Sequence, residues 1–482
     1  MMETKILSKN GYKVKKKELN SLLIKEIKND LTVNPFTYGD FGDKNEKRFS
    51  LYMESPNSFY LPRFYAQEKF GKASVDKTNE GDKINIKFNG SLRKEQEPIV
   101  DLYMTEAKKN GGGLISLKCG GGKTVLALYI IYLLKVKTVV VVHKDFLMTQ
   151  WRDRIIHFLP NARIGKIQQN TVDIENKDIV LAMVQSLSMK EYGPDVFSSF
   201  GFAIFDECHH LGAEVFWKSM PKVASKYMLG LSATPNRKDG LRKVFEWFIG
   251  PSVYSTKDIN TDYIETRIYE YYNDNEIYSK MELLFNGKTC LPRMINNLCN
   301  FNDRCKFIYD ILKEQYQIGR KILILSDRRG FLDQTKKWAN VNLKEQCAGL
   351  YVGGMKPDEL RESQEKDIIL GTFSMASEGM DIPKLNTIIL SSPKSDVIQS
   401  VGRILREKAD VRKFHPLVID IKDIHPNFVV FNKQCEKRIK YYKKNNHNIK
   451  IYKQDGVIEN VENKKKKKKK IEVCDINECL LD

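Results

Sequence analysis

The stretch LISLKCGGGKTVLALYIIYLL, residues 114–134, decides the fold of this chain. A short apolar run ends at Leu117, a glycine-rich turn at residues 120–122 leads to Lys123 and Thr124, and an apolar helical segment follows. Glycines let backbone N–H groups curl around phosphate oxygens without a Cβ clash, and the N-terminus of the following helix adds a partial positive charge. The stretch therefore predicts a strand, a phosphate-binding loop and a helix.

The same loop carries the side chains that a nucleoside triphosphate needs. Lys123 can reach the β- and γ-phosphates, and the Thr124 hydroxyl can ligate Mg²⁺, so ATP and Mg²⁺ are the predicted cofactors. The other loop residues predicted to contact ATP are Cys119, Gly120, Gly121 and Gly122. The strict loop pattern has glycine where Leu117 stands, so a glycine-rich turn before a core helix is the alternative.

Short apolar runs alternate with helical stretches on both sides of this loop. LISL, TVVVV, DIVLAM, FAIFD and YMLGLS fall between residues 91 and 255, and KILILS, DIILG, TIILSS and PLVIDI fall between 300 and 430. Runs this apolar suit parallel strands that are covered by helices on both faces. We therefore predict an α/β fold with two tandem parallel-sheet lobes.

The rest of the chain is assigned around these two lobes. The predicted parts are an N-terminal accessory region (1–90), the first lobe (91–255), a connecting segment (256–299), the second lobe (300–431) and a basic C-terminal tail (432–482). The tail is rich in lysine and asparagine, and a helix followed by a disordered end is expected there.

The stretch GFAIFDECHHLG places two acidic residues at the end of an apolar strand. In an open parallel sheet that edge is where ligands bind. Asp206 is predicted to hold Mg²⁺, and Glu207 to orient and deprotonate the attacking water. Two acids after a strand also begin many helices, which is the alternative. His209 and His210 could be metal ligands, but a polar relay between ATP and nucleic acid is favoured. Downstream, Ser232 and Thr234 follow the next strand and could couple the acidic pair to the second lobe.

In the second lobe, two segments stand out. Gly379 and Asp381 are predicted to lie on a loop between strands. DVIQSVGRILRE is predicted to form a helix that carries Gln399, Arg403 and Arg406 on one face. Two arginines on one face suggest fingers for the γ-phosphate, and a solvated basic face is the alternative.

Composition points to a polyanionic partner. The formal charge is +19, and a run of seven lysines at 464–470 leaves twelve positive charges spread over the remaining chain. Such an excess favours nucleic acid, although a lysine-rich surface from a compositionally biased genome is the alternative. Nine scattered cysteines without a CxxC pair argue against a zinc or disulfide framework. No signal peptide or membrane-spanning run is recognisable, so a soluble, intracellular protein is expected.

Over residues 91–410 these motifs together resemble superfamily 2 helicases, and among them the XPB-type and poxvirus transcript-release helicases. The matching segments are LRKEQ (92–96), LKCGGGKT, DECH, SAT (232–234), GMD (379–381) and QSVGRILR. The family's phosphate loop also lacks the first glycine. Further, SFYLPRFYAQEKFG in the N-terminal region is similar to helicases of large DNA viruses.

The resemblance implies two RecA-like lobes with ATP between them and 3′-to-5′ movement on duplex DNA or a transcription complex. Arg93 and Gln96 would contact or flank the adenine, and Gly379, Asp381 and Gln399 would also bind ATP. The residues that would couple ATP to movement are His209, Ser232, Ala233 and Thr234. The residues expected to contact nucleic acid are Lys144, Gln150, Gln185, Ser186, Arg237, Arg328 and Thr372. The rivals are an RNA helicase, an ATP-switched clamp and the translocating subunit of a restriction-type nuclease.

Overall fold

The computed structural model describes residues 5–33, 48–117, 121–193, 195–207, 213–232, 242–256, 263–378, 380, 382, 384–405, 407 and 411–461. The chain forms two compact units that divide between Asp258 and Ile259. Among the described residues, no helix is both long and apolar enough to cross a bilayer. Each unit is built around an eight-stranded sheet, so the prediction of two tandem α/β lobes is confirmed.

The main sheet of the first unit has the strand order β11-β10-β12-β9-β13-β14-β8-β15. All its neighbouring strands are parallel except the β10–β11 pair. The strands are β8 (Gly112–Ser116), β9 (Thr138–Val142), β10 (Ile164–Gln168), β11 (Thr171–Asp173), β12 (Ile179–Met183), β13 (Phe202–Phe205), β14 (Tyr227–Ser232) and β15 (Ser252–Ser255). All five residues of β9 are buried. Val139 and Val141 pack into one core and Val140 and Val142 into the other, because successive side chains point to opposite faces.

Within the described residues, six helices cover this sheet and place the motif residues at its edge. They are α3 (Glu97–Asn110), α4 (Lys123–Leu134), α5 (Asp145–Phe158), α6 (Val184–Met189), α7 (Ala213–Val223) and α8 (Arg242–Ile249). Buried side chains of α3, α4 and α5 share the core that contains Val140. Those of α7 and α8 share the core that contains Val139. The sheet is therefore covered on both faces, as the apolar strands require.

The N-terminal region forms a small sheet of its own, with the order β5-β6-β2-β1-β7. The α-helices and strands before α3 are β1 (Ile6–Ser8), β2 (Gly11–Lys15), α1 (Ser21–Asp30), β3 (Thr32–Val33), β4 (Phe49–Ser50), β5 (Met53–Glu54), β6 (Ser58–Leu61), α2 (Arg63–Phe70) and β7 (Val75–Lys77). This sheet packs against the first lobe through α2 and α8. The ring of Tyr65 meets that of Trp247 edge-on at 5.3 Å, and Arg63 Nη1 donates to the carbonyl oxygen of Lys226 at 2.9 Å.

The sheet of the second unit has the order β18-β19-β17-β20-β21-β16-β22-β23, and only β22 and β23 are antiparallel. Its strands are β16 (Glu265–Tyr272), β17 (Ile322–Leu325), β18 (Ala348–Tyr351), β19 (Ile368–Gly371), β20 (Thr387–Leu390), β21 (Leu417–Ile424), β22 (Asn448–Tyr452) and β23 (Ile458–Val461). Its helices are α9 (Glu276–Ser279), α10 (Leu291–Asn300), α11 (Asn302–Gln317), α12 (Arg329–Asn342), α13 (Pro357–Glu365), α14 (Phe373–Glu378), α15 (Ile398–Val401) and α16 (Val429–Lys444).

Two parts of this sheet lie outside the second lobe as predicted from the sequence. Strand β16 falls in the predicted connecting segment (256–299), yet it pairs with both β21 and β22. The β22–β23 hairpin falls in the predicted tail, where a disordered end was expected after a helix. Both β16 and β22 mix buried with partly exposed residues. Neither therefore has the uniformly apolar run by which the other strands were recognised.

Candidate functional site

The glycine-rich loop connects β8 to α4 in the first unit. Gly122 caps the N-terminus of α4 with φ +77°, in the left-handed region, and Lys123 is the first helical residue. A Cβ at position 122 would lie 2.4 Å from Gln96 Nε2. Residue 122 must therefore be glycine both for its backbone conformation and for space. Cys119 and Gly120 lie outside the described residues.

The side chain of Gln96 is hydrogen-bonded to the backbone of the phosphate loop. Its buried side chain donates from Nε2 to the carbonyl oxygen of Gly121 at 3.1 Å, and its Oε1 accepts from the backbone N–H of Arg93 at 3.0 Å. The adenine-side segment predicted from the sequence is thus tied directly to the loop. The Gln96 amide holds protein backbone here, and Arg93 is exposed beside it.

The acidic pair follows β13 and meets the loop through an ion pair. Lys123 Nζ contacts Glu207 Oε1, and the two side chains are only 13% and 15% exposed. Glu207 has a φ of 46°, an uncommon conformation for a residue with a Cβ. Its backbone N–H donates to Asp206 Oδ1 at 3.0 Å. This turn directs the Glu207 carboxylate towards the lysine of the phosphate loop.

Asp206 is buried directly behind this ion pair. The indole Nε1 of Trp151, from α5, donates to Asp206 Oδ2 at 2.8 Å. Burial raises the pKa of the Asp206 carboxyl above its ordinary value, and the neighbouring Glu207 carboxylate raises that pKa further. A buried carboxylate with a raised pKa gains most from a nearby cation.

The carboxyl ends of β13, β14 and β8 are neighbours in the sheet, which is why these groups meet. Ser232 ends β14, is buried, and accepts at its carbonyl oxygen from the backbone N–H of Leu117 at 3.0 Å. It therefore lies beside the start of the phosphate loop, and its part in coupling ATP to the second lobe stays a prediction. The remaining residues predicted to couple ATP to movement, His209, Ala233 and Thr234, lie outside the described residues.

The donor set fits a magnesium ion held together with phosphate oxygens. Thr124 is the second residue of α4, directly after Lys123, and Asp206 supplies a carboxylate on the adjoining edge. Mg²⁺ sites of this kind typically use one or two carboxylates or hydroxyls and fill the other positions with phosphate oxygens and water. Thr124 and Asp206 are the residues that would bind the ion.

The second-lobe arginine motif differs from the predicted continuous helix. Residues Ile398–Val401 form α15, and Gly402–Leu405 continue as a 3₁₀ turn. Gln399 and Arg403 are both buried, and Arg403 Nε donates to the carbonyl oxygen of Ala376 at 2.6 Å. The alternative of a solvated basic face is therefore wrong for Arg403. Arg406, Gly379 and Asp381 lie outside the described residues.

The residues predicted to contact nucleic acid fall into three groups. Lys144 and Gln150 are half-buried at the start and middle of α5, and Gln185 is exposed on α6, where its Nε2 donates to the carbonyl oxygen of His143 at 2.9 Å. Arg328 and Thr372 follow β17 and β19 at the carboxyl edge of the second sheet.

The third group of predicted nucleic-acid contacts consists of Ser186 and Arg237. Ser186 is buried, and its Oγ accepts from the backbone N–H of Gln169 at 2.8 Å. Ser186 is therefore buried, unlike the neighbouring Gln185, and its hydroxyl supports the turn at Gln169. Arg237 lies outside the described residues.

Trp151 was missed as a site residue. It directly follows Gln150, which is predicted to contact nucleic acid, and its indole is hydrogen-bonded to Asp206, 55 positions away in the sequence. Its signal in the sequence was weak: a lone tryptophan in an otherwise amphipathic helix. Only the fold brings α5 against the end of β13.

Comparison with known proteins agrees with this arrangement. Residues 89–237 match a family model described as "Type III restriction enzyme, res subunit", and residues 303–408 match one described as "Helicase conserved C-terminal domain". The two matches cover the phosphate loop with its acidic pair and the second-lobe motifs, respectively.

Relatives among large DNA viruses span most of the chain. Protein L396 of Acanthamoeba polyphaga mimivirus, provisionally named an ATP-dependent RNA helicase, is 38% identical and covers 94% of this chain and 87% of its own length. Helicase 161L of Invertebrate iridescent virus 6, also provisionally named, is 26% identical and covers 82% of this chain and 90% of its own length. QP509L of African swine fever virus (strain Badajoz 1971 Vero-adapted), provisionally named an ATP-dependent RNA helicase, is 25% identical and covers 74% of this chain and 73% of its own length.

The two-sheet fold, the phosphate loop paired with its acidic turn, and this similarity along nearly the whole chain lead to one assignment. The chain belongs to the superfamily 2 helicases, enzymes that bind nucleic acid and hydrolyse ATP.

Proposed function

We propose that this protein is an ATP-driven motor that moves along or unwinds duplex DNA during transcription or repair. The observation that carries the motor chemistry is the Lys123–Glu207 ion pair beside buried Asp206. When ATP binds, Lys123 can leave the Glu207 carboxylate and contact a phosphate instead. Nucleotide binding would then free the carboxylate that serves as the base.

Each residue has a definite part in this proposal. Lys123 leaves Glu207 for the β- and γ-phosphates, and the freed Glu207 carboxylate accepts a proton from the attacking water. Mg²⁺, when bound at Thr124 and Asp206, neutralises charge on the phosphate oxygens. Arg403 and Arg406 are proposed to stabilise charge on the γ-phosphate during transfer.

The nucleic-acid contacts are proposed for residues at the carboxyl edges of the two sheets. Lys144, Gln150 and Gln185 serve in the first lobe, and Arg328 and Thr372 in the second, with contacts to the sugar–phosphate backbone. Backbone contacts carry little sequence information, which suits a motor that must move along any sequence.

Two other functions are the alternatives, and only the first has specific support. An RNA helicase is supported by the names of the mimivirus and African swine fever virus relatives, whereas the motif resemblance to XPB-type helicases supports DNA. An ATP-switched clamp that does not move is the second alternative. The presence of both Lys123 and Glu207 argues against it, because a clamp needs to bind ATP but has little need of a catalytic base.

The proposal is tested by measuring ATP turnover without nucleic acid and with single-stranded DNA, duplex DNA, single-stranded RNA and duplex RNA in parallel. We expect the largest stimulation with duplex DNA. Larger stimulation by RNA would transfer the assignment to an RNA helicase, and turnover that no polymer stimulates would favour the clamp. Lys123→Ala is the control: it should abolish turnover while nucleotide-free binding of nucleic acid survives.

A further inference from the structure

Helix α16 is fixed on the second sheet by one of its faces. The buried residues are Phe431, Cys435, Arg438 and Tyr442, spaced four, three and four apart. Arg438 makes two 2.8 Å hydrogen bonds to the carboxylate of Asp420, and the Tyr442 hydroxyl donates to the same carboxylate at 2.9 Å. This buried, paired anchor sets the rotation of the helix about its own axis.

The opposite face carries a row of lysines. Lys433, Lys437, Lys440 and Lys444 have the same four, three, four spacing, and all four are exposed. Each lies two positions after a residue of the buried face, which places it about 200° around the helix at 3.6 residues per turn. We name these four side chains the lysine ridge. Because the buried face fixes the helix, the ridge points to solvent along its whole length.

Positive charge is concentrated on this helix far beyond its share of the chain. Its sixteen residues include six basic residues and one acidic residue, a net charge of +5. The whole chain outside the 464–470 run carries an excess of twelve. One basic residue, Arg438, is neutralised inside the fold by Asp420. The five lysines of the helix are all exposed. So many positive charges on one helix differ from the evenly scattered charge of a surface that is merely solubilising.

The dimensions of the ridge suit a nucleic-acid backbone. Lys444 lies eleven positions after Lys433, a distance of about 16 Å at a rise of 1.5 Å per residue. One strand of a duplex carries a phosphate about every 3.4 Å along the helix axis, so the ridge spans about five phosphates. Lysine is a flexible point charge that contacts phosphates without reading bases.

Helix α16 is followed by a hairpin that returns towards the helix. Strand β22 begins four residues after Lys444, and its Ile449 pairs with Val461 of β23. Val461 therefore lies beside the start of β22, close in sequence to the C-terminal end of the lysine ridge. The seven-lysine run begins three residues beyond Val461 in the sequence.

We propose that the lysine ridge is an accessory binding surface for the phosphate backbone of the DNA on which the motor acts. It is separate from the residues assigned to ATP and to strand contact, and it rests on the proposed function because it presupposes a DNA substrate. Its role is to add sequence-independent affinity and keep the duplex close between turnovers, without taking part in hydrolysis.

The test is the quadruple variant Lys433→Gln, Lys437→Gln, Lys440→Gln and Lys444→Gln, which leaves the buried face intact. Its matched control replaces four other exposed lysines of the same unit by glutamine and so removes equal charge. The control positions are Lys306, Lys313, Lys337 and Lys344. Dissociation constants for a labelled DNA duplex are measured between 50 and 300 mM salt, together with maximal DNA-stimulated ATP turnover.

We expect the ridge variant to bind more weakly than the control at low salt. Its log–log salt dependence should be shallower by about 0.9 for each lost phosphate contact, up to about 3.6 in all. Maximal turnover at saturating DNA should stay within twofold of the wild type. Parallel slopes for the ridge variant, the control and the wild type would overturn the proposal, as would an equal loss in both variants.

Two further results separate this proposal from its alternatives. If the ridge variant lost binding to polyglutamate but kept the wild-type DNA slope, the ridge would belong to an acidic protein partner, and the proposal would be refuted. If the wild type itself showed no DNA-stimulated turnover but retained a ridge-dependent DNA slope, the proposed motor function would fail while the ridge stood.

Discussion

Replacing Glu207 by glutamine separates two functions that are proposed for its carboxylate. Glu207 is the proposed base for the attacking water, and it is also the partner that holds Lys123 away from phosphate. Glutamine keeps the shape and a hydrogen-bonding oxygen but carries no charge and cannot take a proton. We therefore expect ATP to bind more tightly while hydrolysis is lost.

The size of each effect follows from the contacts. A hydrogen bond between charged groups contributes about 1.5–3 kcal/mol, and ATP must break this one to engage Lys123. The lower figure applies because both side chains retain some exposure, so the dissociation constant for ATP should fall about tenfold, at about 1.4 kcal/mol per factor of ten. Loss of a general base should reduce turnover by about 10²–10⁴.

The assay is equilibrium binding of ATP without nucleic acid, followed by single-turnover hydrolysis with saturating duplex DNA. Glu270→Gln is the matched control, because Glu270 pairs with Lys422 at 2.7 Å and is likewise 15% exposed, but in the second unit. The control should bind and hydrolyse ATP normally. Weaker ATP binding by Glu207→Gln, or turnover near that of the wild type, would refute the reasoning.

Three further outcomes are expected. Trp151→Phe removes the donor to Asp206, a hydrogen bond that favours the ionised carboxylate, so the carboxyl pKa rises further and the acid limb of the turnover–pH profile should move to higher pH; an unmoved limb would show that Asp206 does not control it. Gly122→Ala and Gly319→Ala both force a Cβ into left-handed backbone at φ +77° and +87°, so each should cost about 1–2 kcal/mol in chemical unfolding, but only Gly122→Ala, which also meets a buried amide, should abolish ATP binding. Arg403→Ala should reduce turnover by about 10³ or more if it acts as an arginine finger, with unchanged circular dichroism; normal turnover would leave it a structural residue.

Uniform burial explains which strands could be predicted from the sequence. A strand such as β9, covered on both faces, is made almost entirely of apolar residues, and the run TVVVV can therefore be recognised in the sequence. Strand β16 is only partly buried and includes Glu265 and Arg267, which pair with each other at 2.8 Å. Its place in the sheet is fixed by β21 and β22, which lie more than 140 residues away, and no local pattern records that pairing.

In the candidate site, too, local features could be predicted from the sequence and long-range contacts could not. Gly122 and Lys123 could be predicted because the phosphate loop is contiguous in sequence. The hydrogen bonds of Gln96 to the loop and of Trp151 to Asp206 join residues 25 and 55 positions apart. Resemblance supplied a role for Gln96 at the adenine, but its contact with the loop backbone emerged only from the fold.

The N-terminal sheet has a consequence for how this motor can evolve. Helix α8 is apolar on two sides: Val244 and Phe245 face the first-lobe core, and Trp247 meets Tyr65 of α2. A lineage that lost residues 1–90 would leave the Trp247 side of α8 bare, together with Trp217 and Phe248, whose rings are tilted against each other with centroids 5.4 Å apart. Loss or exchange of the N-terminal sheet would therefore require several polar replacements in the first lobe at the same time.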